Sequence, residues 1–390
     1  MPEHTAVFAL CAPLIFDGAQ FLRDHCVLIR EQSVERLLPR AQCPDSIAAV
    51  VLATGTLAPG LIDLQVNGGG DLLFNNAPCE ATLAAMFAAH RATGTTGMMP
   101  TLISDTRARQ EQAVAAVRAA RAKGHPGILG IHLEGPHFEP ARCGVHRADL
   151  VRPAGAGDID WLCSLADLRV IVTLAPEHLA PGQLRQLVAS GLHVCAGHTN
   201  ASYAQLLAAV AEGLAGVTHL FSAMSPLTGR EPGTVGAALA AGSLWAGIIA
   251  DGHHVHPANI LLAQRSKPAG RLVLVTDAMA TVGGRQDGFS LYGEQISKRD
   301  GKLVNSAGAL AGSAIGMIDA VRYAAGPVGI PLAECLRMAS LYPAAILGLD
   351  DSLGRIASGY RADLVHFDDD FVVHNTWLAG ARQQHRYIRS

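Results

Sequence analysis

Glu134, His198, His219 and Asp277 are far apart in a chain of 390 residues, yet each stands in the same local setting. Each closes a short apolar run and opens a turn. Gly127–Leu133 runs into Glu134-Gly135-Pro136, and His193–Ala196 into Gly197-His198-Thr199. Gly216–Thr218 runs into His219-Leu220-Phe221, and Leu272–Thr276 into Asp277-Ala278. Each has an ordinary structural reading: a carboxylate there can cap the next segment, and a lone histidine is more often a satisfied polar group than a ligand. Recurrence at the ends of separate runs favours chemistry. One carboxylate and two imidazoles make a three-ligand site for one divalent metal per subunit, zinc first and iron(II) second, with a position left for water. Zinc brings the pKa of bound water to about 7. Asp277 is then the carboxylate that takes the water's proton and returns it to a leaving group, or else one that orients a ligand histidine.

Two further features refine that site. The first apolar run ends in Gln65-Val66-Asn67, where a two-metal hydrolase would place His-x-His. Neutral amides are poor ligands for zinc-like ions, which predicts a single metal. Asp63, inside the same run, reads as structural or as a carboxylate that orients a group at the site. For an anionic substrate the sequence offers Arg230 in the loop Thr228–Gly233, His254 and the backbone N–H groups of Ser222 and Ala223, and the Gly-rich stretch Leu310-Ala311-Gly312-Ser313-Ala314 brings backbone close to a ligand. Arg230 suits phosphate through its planar fork, or is a solvated surface group.

Such residues need a scaffold that gathers strand ends. Eight apolar runs predict strands at 57–67, 97–103, 128–133, 169–174, 193–196, 216–220, 246–250 and 272–276. Helical stretches rich in Ala and Leu, such as 80–93, 105–123 and 202–212, separate most of them. Repeated strand and helix predict an α/β fold, a parallel (β/α)8 TIM-like barrel over residues 57–345 with its site at the C-terminal strand ends. A doubly wound sheet would carry a G-x-G-x-x-G turn after its first strand, and Gln65–Gly70 has none. Residues 1–56 and 346–390 read as short β segments, including one at 377–387, which predicts a small β-sandwich domain built from both termini.

Composition excludes other classes. The chain is 49% hydrophobic and 16% charged, with a net charge of −3, so it has no basic field for nucleic acid and no basic amphipathic face for a membrane. No uninterrupted apolar stretch reaches the length of about 18 residues expected of a membrane span. The N-terminus does not read as a secretory signal. Eight scattered cysteines without Cys-x-x-Cys predict no disulfide framework and a reducing, cytoplasmic setting.

Taken in order, the segments Pro59–Gly68, His132–Pro136, Ala175-Pro176-Glu177, Gly197–Ala201, Thr218–Phe221, Gly229–Gly233, Ile249–Val255 and Leu274–Ala278 resemble the N-acetylglucosamine-6-phosphate deacetylases of the amidohydrolase superfamily. The resemblance runs from about residue 57 to the end, through Leu341–Ala344 and Gly359–Leu364. It implies hydrolysis of the acetamido group of N-acetyl-D-glucosamine 6-phosphate to glucosamine 6-phosphate and acetate, in amino-sugar metabolism. By position it makes Glu134, His198 and His219 the metal ligands and Asp277 the catalytic acid/base. His146 becomes the group that polarises the amide carbonyl. Val145, Ser222, Ala223, Arg230, His254 and Leu310–Gly312 become substrate contacts. It also implies a homodimer whose phosphate site is shared between subunits. Ser222 departs from the Asn of many members, His137 replaces an aromatic, and Cys143 is a thiol in the loop beside the site. The galactosamine epimer, a cyclic amide and a non-catalytic sugar-phosphate sensor are the competing readings.

Overall fold

The computed structural model describes residues 7–385, so the ends of both terminal β parts, including the last residues of the strand expected at 377–387, lie outside the described residues. The eight barrel strands are Leu61–Val66, Thr95–Ile103, Ile131–Glu134, Val170–Leu174, His193–Ala196, Gly216–Val217, Trp245–Ile249 and Leu272–Val275. They pair in sequence order, all parallel. The first and last meet at their tips, where the Asp277 N–H donates to the Gln65 carbonyl at 3.0 Å and the Asn67 N–H to the Ala278 carbonyl at 2.9 Å. The runs are continuous rather than alternating because both faces are covered: every residue of Leu61–Val66 and of Thr95–Ile103 is buried. Helices wrap the outside on amphipathic stripes. Arg107–Ala122 buries Ala113, Val114, Ala116, Val117 and Ala120, and its first turn is capped by Thr106. Each fully buried Val, Leu or Ile contributes about 1.5–3 kcal/mol, so this interior dominates stability.

Three details differ from the sequence expectation. The first predicted strand is two. Thr56–Pro59 pairs with Val7–Phe16 and Leu364–Phe367 in the terminal sheet, and the barrel strand begins at Leu61. Gly60 makes the break, because a Cβ there would stand 2.0 Å from the Thr96 hydroxyl oxygen. The sixth strand shortens to Gly216–Val217, since His219 turns the chain into the left-handed region at φ 35°. A three-stranded antiparallel sheet, Gly288–Leu291, Glu294–Arg299 and Lys302–Val304, follows the eighth strand. It was not expected, and it packs Phe289, Leu291, Ile296 and Leu303 over Leu73, Ile103 and Met279.

The terminal segments form one eight-stranded mixed sheet. Leu10, Val27 and Ile29 from its N-terminal strands share a core with Leu57, Leu364 and Trp377, so the sheet closes on itself as a small β-sandwich. The expectation that the cysteines stay unpaired fails at one place: Cys11 and Cys26 are disulfide-bonded. Antiparallel pairing sets them directly opposite one another, a register that spacing alone does not show. Among the described residues, no helix is long and apolar enough to cross a membrane.

Candidate metal centre and active site

Glu134 ends the third strand, His198 and His219 follow the fifth and sixth, and Asp277 follows the eighth. The fold brings all four to the C-terminal mouth. His198 Nε2 lies 3.3 Å from Glu134 Oε1 and 3.0 Å from His219 Nε2, and His219 Nε2 lies 2.9 Å from the same carboxylate oxygen. His198 Nδ1 sits 2.8 Å from the Arg142 carbonyl. A carbonyl only accepts, so that nitrogen carries the proton and Nε2 presents a lone pair. Three lone-pair atoms crowded into one buried spot repel unless a cation or a shared proton lies between them. Glu134, His198 and His219 offer one ligand atom each within 4.8 Å of one another, a donor set that fits one borderline divalent metal.

The electrostatics follow from burial. Desolvation alone would raise the Glu134 carboxyl, but the His198 and His219 rings packed against it hold it well below the usual carboxylate range. Burial lowers His146, and the neighbouring His198 adds to this, so His146 is a neutral imidazole. Burial, and next the charge of Glu134, push Asp277 up to about 6. That is a value suited to a group that must both take and give a proton near neutrality.

A layer of polar groups fixes these side chains. Gln65 Nε2 donates to both Glu134 oxygens at 3.2 and 3.1 Å and to Asp277 Oδ1 at 3.2 Å. Asn67 Nδ2 donates to Asp277 Oδ1 at 2.6 Å. The amides that are poor ligands thus hold Glu134 and Asp277. Sequence reasoning missed this role, because the pairing needs the barrel to close. Asp63 accepts from the Thr276 N–H at 3.2 Å and the Thr276 hydroxyl at 2.5 Å, and so braces the residue before Asp277. Glu177 accepts from the Thr199 hydroxyl at 2.5 Å and the Asn200 N–H at 2.6 Å, anchoring the turn that carries His198.

A cavity of about 410 Å³ opens above the cluster. Of the residues predicted from sequence, Glu134, His198, His219, Asp277, His146, Val145, Ser222, Ala223, His254, Leu310 and Gly312 line it. Ala311 is buried behind the lining, and Arg230 is exposed outside it. Arg142, Ile103, Phe221 and Met279 also line the cavity and were not predicted. Arg142 had a signal, lying next to Cys143 in a loop already placed beside the site. His254 Nδ1 is held 2.6 Å from Asp251 Oδ2.

A closed parallel barrel with a carboxylate, two histidines and a facing aspartate at its mouth defines a metal-dependent hydrolase of the amidohydrolase type, and the amidohydrolase family model matches residues 56–382. The chain belongs to that family, among the amino-sugar 6-phosphate deacetylases. It is 45% identical over 331 residues to an N-acetylgalactosamine-6-phosphate deacetylase of Shewanella sp. (strain ANA-3), covering 84% of this chain and 83% of that one. It is 34% identical to the N-acetylglucosamine-6-phosphate deacetylase of Haemophilus influenzae, covering 96% of this chain and 98% of that one. The crystal structure of N-acetylglucosamine-6-phosphate deacetylase from Pasteurella multocida superposes with a TM-score of 0.94 at 35% identity, over 97% of this chain and all of that one.

Proposed function

We propose that the protein hydrolyses the acetamido group of N-acetyl-D-glucosamine 6-phosphate, giving D-glucosamine 6-phosphate and acetate in amino-sugar catabolism and recycling. The observation that carries this reading is the convergence of Glu134, His198, His219 and Asp277 on one cavity. A divalent metal held by Glu134, His198 and His219, zinc best matching the donor set and iron(II) next, supplies Lewis-acid activation of water and of the amide carbonyl. Asp277 takes the proton of the attacking water and later delivers it to the departing amine. His146 donates a hydrogen bond to the carbonyl oxygen as negative charge grows there. Val145, Ser222, Ala223, His254 and the Leu310–Gly312 stretch position the sugar. Arg142 within the cavity and Arg230 at the surface are the guanidinium groups available for phosphate. Arg230 serves a site shared between two copies in a homodimer. A cytoplasmic setting belongs to the same reading, since a sugar phosphate is too polar to cross a bilayer unaided.

The galactosamine epimer is the second reading, favoured by the 45% identity to a deacetylase named for that substrate. One experiment tests both: metal content and acetate release from the two epimers, each with and without the 6-phosphate. Preference for the phosphorylated glucosamine derivative supports the proposal, and preference for the galactosamine derivative transfers it to the epimer. Equal rates with and without phosphate would remove the anion-binding role of His254 and the arginines.

A further inference from the structure

The first hairpin of the inserted three-stranded sheet is tied to the active site by a tyrosine hydroxyl. That hairpin joins Leu291 to Glu294 across Tyr292 and Gly293, both in the left-handed region at φ 53° and 82°. Such a two-residue turn favours Asn, Asp or Gly, and a bulky side chain is disfavoured there. This chain places a tyrosine at that strained corner. The Tyr292 hydroxyl donates to the carbonyl oxygen of Ser104, which follows the second barrel strand. Ser104 in turn meets His146 twice: its N–H points at Nδ1 from 3.2 Å, and its hydroxyl lies 2.8 Å from the same nitrogen.

A backbone N–H can only donate. Nδ1 therefore has to accept, and the single ring proton is left for Nε2. His146 lines the cavity, and Nε2 has no partner among the described residues. We propose that Ser104 and Tyr292 are positioning residues, which lock His146 as the tautomer with Nε2–H facing the cavity, the form that can donate to a substrate carbonyl. Ser104 sets the tautomer, and Tyr292 anchors the carbonyl on the other side of the Ser104 Cα, which limits rotation of the residue that aims its N–H and hydroxyl at the ring. The unfavourable corner conformation of Tyr292 is thereby explained: no side chain usual in that turn carries a hydroxyl out to Ser104. The value of Nε2–H for turnover rests on the deacetylase reading. The tautomer itself does not.

The test has two arms on the zinc-loaded enzyme. Nitrogen-15 NMR of the histidines, with the His146 signals assigned by their loss in His146→Gln, is expected to show Nε2 protonated and Nδ1 bare. A proton on Nδ1 overturns the proposal whatever the enzyme hydrolyses. In kinetics, Tyr292→Phe keeps the ring and loses only the hydroxyl. It is expected to lower kcat about five- to tenfold, the size of one hydrogen bond, with KM within about twofold and an unchanged melting temperature. An unchanged kcat in Tyr292→Phe overturns the anchoring role. His146→Gln places an amide N–H near the Nε2 position and His146→Asn near Nδ1, so Gln is expected to retain more turnover. The reverse order overturns the donor assignment. Absence of turnover on every acetamido sugar phosphate would instead sink the deacetylase reading, and the NMR arm would still decide the tautomer.

Discussion

His198, His219 and Asp277 all hold left-handed backbone angles, at φ 50°, 35° and 52°. For non-glycine residues such conformations cost of order 1–3 kcal/mol each and persist only where the surroundings over-determine them. Here the surroundings are visible: the Arg142 carbonyl on His198, Gln65 and Asn67 on Asp277, and Asp63 under Thr276. The clustered Glu134, His198 and His219 were legible from sequence, because each closes an apolar run. The groups that orient them were not, since an amide in a strand carries no mark of what it will face. Two predictions belong at this scale. Asp277→Asn keeps the acceptor facing Asn67 but cannot shuttle a proton, so kcat should fall by about 10²–10⁴ while substrate still binds. Near-normal turnover in that variant would remove Asp277 from the chemistry. Gln65→Leu removes the donor shared by Glu134 and Asp277, and should weaken metal affinity about 10–100-fold, measured by chelator competition. Unchanged affinity would make Gln65 a packing residue only.

Between residue and fold, the elements show where periodicity informs and where it fails. The eight barrel runs were legible because strands buried on both faces are apolar throughout. The sheet at 288–304 was not, because its strands alternate with charged residues such as Glu294, Lys298 and Arg299 and bury only one face. One helix end illustrates a further hidden role. Gly233–Ala240 lacks a basic residue in its last turn, and Lys267, just past the end of the following helix Pro257–Ser266, supplies the charge: its Nζ donates to the Ala238 and Ala241 carbonyls at 2.8 and 2.7 Å. Burial lowers Lys267 to about 8, with Arg271 contributing. Between about pH 8 and the ordinary lysine value, the unfolded chain binds a proton that the folded chain has released. Stability attributable to this residue therefore rises with pH across that window. The difference in denaturant midpoint between the wild type and Lys267→Met should accordingly move in favour of the wild type from pH 8 to 10. A difference flat in pH would show that the amine titrates normally.

At the scale of the whole molecule, one strand ties both terminal parts to the start of the barrel. Thr56–Pro59 lies between Val7–Phe16 and Leu364–Phe367, and after Gly60 the chain continues as the barrel strand that delivers Gln65 and Asn67. Sequence showed that both ends were β-rich, but it assigned 57–59 to the barrel, because an apolar run does not announce which sheet it joins. The terminal core is nonetheless separate from the barrel core, and Trp377 is its largest fully buried side chain. Trp377→Ala should cost about 3–5 kcal/mol, as for other large-to-small changes in packed interiors, read as a lowered denaturant midpoint. Because Trp377 belongs to that separate core and no cavity-lining residue does, turnover per folded molecule should stay within about twofold of wild type. A kcat that falls along with the midpoint would mean that packing in the terminal domain is transmitted, through Gly60 and the first barrel strand, to the amides that hold Glu134 and Asp277.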